Sequence, residues 1–405
     1  MKSKTIIMAA TLVAGSALAQ DWPRYLAENG NATVGGSIRT DWAANKPKEL
    51  WRKELGAGCT SFAIEGGKAV VMGNQDNKDI VWCLDAKTGE EIWKYVYDEK
   101  LDAKLYAGGP NATPTIDGDV VYTISKTGNL FCLSMADGQP KWHKHYVTDF
   151  GGKAPGWGFS GAPVVKGDDL YCLPCAKDGA MYVLDKKSGE VKWKAGGKQK
   201  AGYSAPVFFD YKGKEAVAAF HGRELVAYDI ASKGDQLFEF GWRTSYDINA
   251  SNPQYLDGKM FLASGYGMGY AVIDVSSGGE AKLLHKEEDT RMIFQNSILL
   301  DGDIIGVFGD KNIDAELIRM DLVSGEIRWR ESMPGTRGSC LMVGDTLVIL
   351  SEQGDVICGK PAKDAWKEEG RVKPLEKLCW APVAYADGMI FARTNKGKAV
   401  CLKVK

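Results

Sequence analysis

Apolar residues fall in short runs separated by polar turns, and no segment keeps a helical period. Thr113 to Ile116, then Asp117-Gly118, then Asp119 to Ile124 is one such pair of runs. Gln254 to Leu256 with Asp257-Gly258 and Lys259 to Ala263 is a second, and Asp301-Gly302 and Asp387-Gly388 sit between further pairs. Asp-Gly between β-rich runs predicts a hairpin whose type I′ turn needs positive φ at both central positions. These runs are read as the first and second strands of a repeating sheet.

A third run follows each hairpin, and its ending recurs. Cys83-Leu84-Asp85, Gly89 and Trp93 are matched by Val183-Leu184-Asp185, Gly189 and Trp193, and by Arg319-Met320-Asp321, Gly325 and Trp329. Cys132, Ser134, Gly138 and Trp142 keep the spacing without the Asp. The Asp side chain can bond back to the N–H groups of its own turn, and the Gly supplies a left-handed residue, so the fourth strand leaves at a fixed angle. From Asp85 to Asp321 the repeat averages about 47 residues, in the range of propellers and solenoids.

Third strands are predicted near Cys83, Cys132, Val183, Ala227, Val272, Arg319, Cys358 and Cys401. That predicts an all-β, eight-bladed β-propeller of four-stranded antiparallel blades. The last third strand, Ala399 to Val404, meets the chain end, whereas Glu49 to Leu55 resembles a fourth strand with its Trp51 but has no third strand before it. Pairing the two would complete the last blade with an N-terminal strand and remove an exposed edge. Blades four, five and seven are degenerate, with Phe238, Leu283 and Trp366 as the nearest matches to the fourth-strand Trp.

Lys2, Lys4, the apolar stretch Thr5 to Val13 and Ala17-Leu18-Ala19 have the layout of a cleaved export signal. The expected organisation is a signal peptide over 1–19, a lead-in over 20–48 and the propeller over 49–405, in the periplasm or secreted. No cysteine near the cleavage site suggests a lipid anchor. The formal charge of −1 would fall to about −3 on cleavage and gives no reason to expect nucleic acid as a partner. No later stretch is long and apolar enough to span a bilayer, and a monomer is expected. Nine cysteines cannot all pair internally. Cys83, Cys132, Cys358 and Cys401 share a repeat slot held elsewhere by Val or Ala, which makes them packing residues. Cys172-Leu173-Pro174-Cys175 has the spacing of a redox or metal pair and also lies on a second strand where both can pack.

The spacing of small residue, Asp, Gly and Trp resembles the tryptophan-docking motif of the pyrroloquinoline-quinone-like β-propellers, carried here by Asp85, Gly89, Trp93, Gly138, Trp142, Asp185, Gly189, Trp193, Asp321, Gly325 and Trp329. The likeness covers about 350 residues. Two functional kinds follow from that resemblance. One comprises quinoprotein alcohol and sugar dehydrogenases, which would imply pyrroloquinoline quinone with a divalent cation. The other comprises non-catalytic propellers such as BamB, a scaffold of the outer-membrane β-barrel assembly machinery, which implies no cofactor and a protein partner. The adjacent Cys-Cys pair that caps the quinone in the alcohol dehydrogenases is absent, and Ala176 after Cys175 rules out a Cys-x-x-Cys-His haem site. The expected function is therefore a binding platform for a protein or small polar ligand, with a quinone-dependent oxidoreductase as the alternative.

A ligand in a ring would meet the residues just before each first strand. These are Asn111, Trp157, Phe159, Ser160, Tyr203, Ser204, Asn249, Asn252, Gln295, Asn296, Arg337 and Trp380. Amides, hydroxyls, aromatics and one guanidinium could hold a sugar or small anion; they could equally serve backbone groups and channel water. His143 and His145 lie on one face of a strand, and no nucleophile motif accompanies His221 or His285. No catalytic or metal residue is assigned.

Overall fold

The computed structural model describes residues 20–103 and 106–405. The expected signal peptide lies outside them. Eight antiparallel sheets form a closed ring, with the first strands of successive blades innermost. Blades one to seven begin at Ala63, Thr115, Val164, Val207, Gln254, Ser297 and Gly338, each taking its four strands in chain order from the axis outward. Blade eight has Ala384–Ala386, Met389–Arg393 and Lys398–Lys403, and its fourth strand is Lys48–Glu54. Trp51 pairs with Cys401 in antiparallel register, so the ring closes between the two ends of the chain as the repeat count predicts.

The turns explain the regularity. At Asp257-Gly258, Asp301-Gly302 and Asp387-Gly388 both residues have positive φ, as type I′ demands. The Asp117 hairpin differs: Asp117 pairs with Val120, so Gly118 and Asp119 are the central residues, and only Gly118 has positive φ. At the outer turn, Asp85 Oδ1 accepts from the N–H groups of Lys87 and Thr88 at 3.0 and 2.7 Å, and Asp185 and Asp321 do the same in their own turns. Ser134 Oγ substitutes with one bond, from Ala136 N–H.

Each regular blade is tied to the next by its tryptophan. Trp51 of blade eight lies on Gly89 of blade one, where an added Cβ would come within 2.7 Å of the indole, and Trp51 Nε1 donates to Ala86 O at 2.9 Å. Trp93 repeats this on Gly138 and Met135 O, and Trp142 on Gly189 and Lys186 O. Glycine is therefore required twice over, for its φ and for the approach of the ring. Trp329 donates to Ala362 O of blade seven.

The degenerate blades show a different alignment from the one expected. Opposite the slot residues Val272 and Cys358 stand His285 and Gly370, not Leu283 and Trp366. The connection to the fourth strand is longer in both blades, with ten positions from Cys83 to Trp93 but thirteen from Val272 to His285 and twelve from Cys358 to Gly370, so counting at the regular spacing misplaces the docking position. His285 lies against Gly325, and Tyr270 Oη donates to Gly325 O at 2.7 Å. At blade seven the absent side chain is replaced by Trp42, which is buried directly over Gly370. Arg319 is the other departure from a small slot: its guanidinium pairs with buried Asp303 at 2.6 Å and donates to Pro361 O in the next blade.

The lead-in is built into the ring. Gln20 N–H donates to Asp387 of blade eight, Trp22 bridges to Ile64 of blade one, and Pro23 O accepts from Ile116 N–H of blade two. Tyr25 packs beside Val164 and Ala205, and Thr33–Val34 pairs in parallel with Met342–Val343 of blade seven. The segment thus lies across the inner strands on the side of the Asp-Gly hairpins.

Candidate functional site

In an up-and-down blade, the loops joining consecutive blades share one end of the ring with the turns between second and third strands. The chain's own lead-in lies against the hairpin end, and this loop end carries the expected ligand residues. The structure divides them into two groups.

The first group is spent on holding blades together. Asn249 is fully buried; its Nδ2 donates to His221 O and Trp242 O, and its Oδ1 accepts from Ser264 Oγ. Asn252 Oδ1 accepts from Ala205 N–H of the neighbouring blade's lead-in. Asn296 clasps the backbone of Cys340, donating to its O at 2.8 Å and accepting from its N–H at 3.2 Å. Gln295 accepts from Ile293 and Phe294 N–H and donates to Gly309 O, while Ser204 Oγ donates to Phe220 O. Phe159 is buried edge-on to Tyr146. These groups satisfy backbone that would otherwise be stranded between sheets.

The second group lines the loop end. Trp157 is half-buried and held from both sides: its carbonyl accepts from Tyr106 Oη and Asn111 Nδ2, and its N–H donates to Tyr203 Oη. Asn111 also donates to Ser160 Oγ. Burial pushes the Tyr203 phenol up to about 12, so it remains a neutral hydrogen-bonding group. Tyr203 shares an apolar cluster with Ile248 and Ile293, against which Trp157, Tyr266 and Phe294 pack. Phe294 meets Trp380 at 5.3 Å, and the Arg337 guanidinium lies over both rings, 5.6 and 5.2 Å from their centroids.

Glu352 fixes that end of the arc. Its Oε1 accepts from Trp380 Nε1 at 2.7 Å and from Arg337 at 3.0 Å; its Oε2 accepts from Thr336 N–H and Oγ1. Burial would raise the carboxyl, but the bonds from Trp380 and Thr336 and the charge of Arg337 outweigh it and hold it below the usual range. Tyr106, Tyr266, Phe294 and Glu352 are absent from the residues expected of this end. Tyr106 and Phe294 sit in the same pre-strand loops, and Glu352 and Tyr266 in the second-to-third-strand turns that share the end with them.

The quinone-and-cation set does not fit. Among the described residues no three His, Cys, Asp or Glu converge to hold a metal ion, the nearby amides are committed to blade ties, and Glu352 has four donors of its own. Cys175 Sγ lies 3.7 Å from His221 Nδ1, but burial drives the imidazole to about 3 and the thiol to about 12, leaving both neutral. All nine cysteines are unpaired. His143 Nε2 bonds to Asn129 and its ring stacks on Phe131, while His145 Nδ1 meets the N–H groups of Val147 and Thr148. No described helix is long and apolar enough to cross a membrane.

Comparison with known proteins agrees with the propeller fold. Residues 99–331 match the family model described as outer membrane protein assembly factor BamB. A curated relative of that description from Yersinia pestis is 26% identical over 159 residues, covering 36% of each chain. The matched region therefore spans little more than a third of that relative. Among solved structures, BamB from Moraxella catarrhalis superposes with a TM-score of 0.61 at 15% identity, covering 89% of this chain and 98% of its own. Quinohemoprotein alcohol dehydrogenase from Comamonas testosteroni gives 0.68 at 14% identity, over 95% and 80%. Such identities establish the fold alone. With more than half its length matched by the family model, the chain belongs to the outer membrane protein assembly factor BamB family of β-propellers.

Proposed function

We propose that this protein is an exported, non-catalytic propeller that serves as a rigid binding platform, engaging a partner protein or a small polar ligand through its loop end. One observation carries the reading: half-exposed Trp157, Tyr266, Phe294 and Trp380 and the guanidinium of Arg337 form an arc at that end, while the polar groups a catalyst would need are bound to the scaffold. Aromatics and arginine are the residue types that dominate binding hot spots, because they bury much area at small entropic cost. Closure of the ring fixes the arc before any partner arrives, which lowers the cost of association. Membership of an assembly-factor family and the expected signal peptide both support an envelope role.

Affinity capture from envelope extracts tests it. Wild-type protein should retain a partner that a folded Trp157→Ala/Trp380→Ala variant loses; equal recovery by the two, or none by either, overturns the reading. Turnover of alcohols or sugars with a dye acceptor after quinone and calcium addition would establish the oxidoreductase in its place.

A further inference from the structure

We propose that the opposite, hairpin end carries a second docking channel, shaped for an extended polypeptide segment rich in lysine or arginine. Two adjoining clefts of about 760 and 610 Å³ share Phe209 and Asp210 and run from the lead-in across the hairpins of blades one to five. Their floor is aromatic. In blade four the first strand is Val-Phe-Phe-Asp-Tyr, and Phe208 and Phe209 are left half-exposed, with Phe209 stacked 4.5 Å from Tyr255 of blade five. Both rings also pack on the core, Phe208 edge-on to Tyr171 at 4.8 Å and Phe209 beside Phe238 at 6.1 Å, but the first strands of blades one and two carry no aromatic residue, so this partly open aromatic face is not a feature every blade shares.

The walls are acidic. Glu28, Glu65, Asp117, Asp210, Glu215 and Asp257 line the channel against Arg24, Lys166 and Lys212, with Asp117 also paired to Lys186 at 2.8 Å. Burial raises the Glu65 carboxyl above the usual range; the bond from Gly118 N–H opposes it, and the charges of Asp21, Glu28 and Asp117 add to it. A cation entering here would relieve that repulsion.

The protein itself shows how the channel receives an ammonium group. Lys166 Nζ lies 5.4 Å from the centre of the Phe208 ring and 2.9 Å from Glu215 Oε1, so one lysine is already held between an aromatic face and a carboxylate. Further along, Phe209 and Tyr255 line the second cleft together with Asp210 and Asp257, and Lys212 lines it too, with its ammonium 5.6 Å from the Tyr211 ring. A single small cation would use one such place, whereas a cleft crossing five blades suits a chain presenting cations at intervals.

Fluorescence anisotropy with a labelled peptide of interspersed lysine and phenylalanine, titrated with the mature protein, tests the proposal. Binding should weaken as salt rises. Phe209→Ala/Tyr255→Ala should lower affinity about tenfold, the loss of two cation–aromatic contacts. Asp210 and Glu215 are exposed, so Asp210→Lys and Glu215→Lys can be read without loss of fold, verified by melting, and each should weaken binding further. Trp157→Ala, at the other end of the ring, should leave it unchanged. No binding at low salt, equal binding of the glutamate counterpart, undiminished binding by the folded charge-reversal variants, or full displacement by spermine at matched charge would overturn it.

Discussion

The junctions on either side of blade eight are both made by the first residues of the described chain, yet by different means. Between blades eight and one, Trp51 stands in regular register, with its indole on Gly89, its N–H on Ala86 O, and Phe62 and Phe391 about 6 Å from it. Buried Arg393 reinforces it with bonds to Thr60, Met72 O and Gly56 O. Between blades seven and eight the regular device cannot exist. Blade eight has no turn between its third and fourth strands, because those strands are opposite ends of the polypeptide, and so there is no turn glycine to receive a tryptophan. Trp42 fills the space from outside the repeat, lying on Gly370, while Arg39 N–H bonds to Val404 O. A repeat can therefore lose its docking residue when a neighbouring segment supplies equivalent volume.

The largest effect should come from removing the closing strand. Deleting residues 49–55 leaves blade eight with an exposed third-strand edge and abolishes a complete junction, so a cooperative urea transition should give way to a broad, early one with aggregation. A deletion variant that unfolds as the parent does would mean that closure contributes nothing. Next, Trp51→Ala removes the indole while keeping the strand, and should cost about 3–5 kcal/mol, measured as a shift of the urea midpoint at unchanged slope.

The contrast between these junctions also marks what the sequence could reveal. Blade number, hairpins and closure were legible because turn chemistry is local: Asp85, Gly89 and Trp93 lie within one supersecondary unit. The substitution of Trp42 for a blade-seven side chain was not, since nothing in residues 20–48 repeats and the vacancy at Gly370 exists only because the longer connection of blade seven shifts its fourth strand. The candidate site was half legible. Trp157, Arg337 and Trp380 could be placed by their loops, but whether an amide such as Asn296 faces a ligand or a neighbouring backbone depends on how blades pack, which no spacing encodes.

Exchanging the two solutions tests whether volume alone matters at the seven–eight junction. Trp42→Ala should cost about 3 kcal/mol, at the lower end for a buried aromatic because no backbone acceptor of another blade is lost with it. Gly370→Trp alone should also destabilise, as its side chain would collide with Trp42. Combined, the two should recover part of the loss, giving a coupling of about 1–3 kcal/mol in a double-mutant cycle. Strict additivity would show that Trp42 does not stand in for the missing residue.

The smallest effect separates the junctions by pH. At the loop end of the seven–eight side, Glu352 accepts from Trp380 in the following loop and from Thr336 and Arg337 in the preceding one. Its carboxyl is held below the ordinary value, so folding is favoured by its ionised form. That stability is fully present above the unfolded-state value near 4.5 and is lost as pH falls through the folded one. Glu352→Gln should therefore cost about 1–2 kcal/mol at neutral pH and progressively less toward acid. At the eight–one side, burial lowers Arg393 only to about 10, so it stays charged throughout the acid range and its bonds should not respond. Urea midpoints for Glu352→Gln and Arg393→Met between pH 3 and 7 should converge on the parent for the first and stay offset for the second. A constant offset for Glu352→Gln would remove its carboxylate as the source of acid sensitivity at this junction.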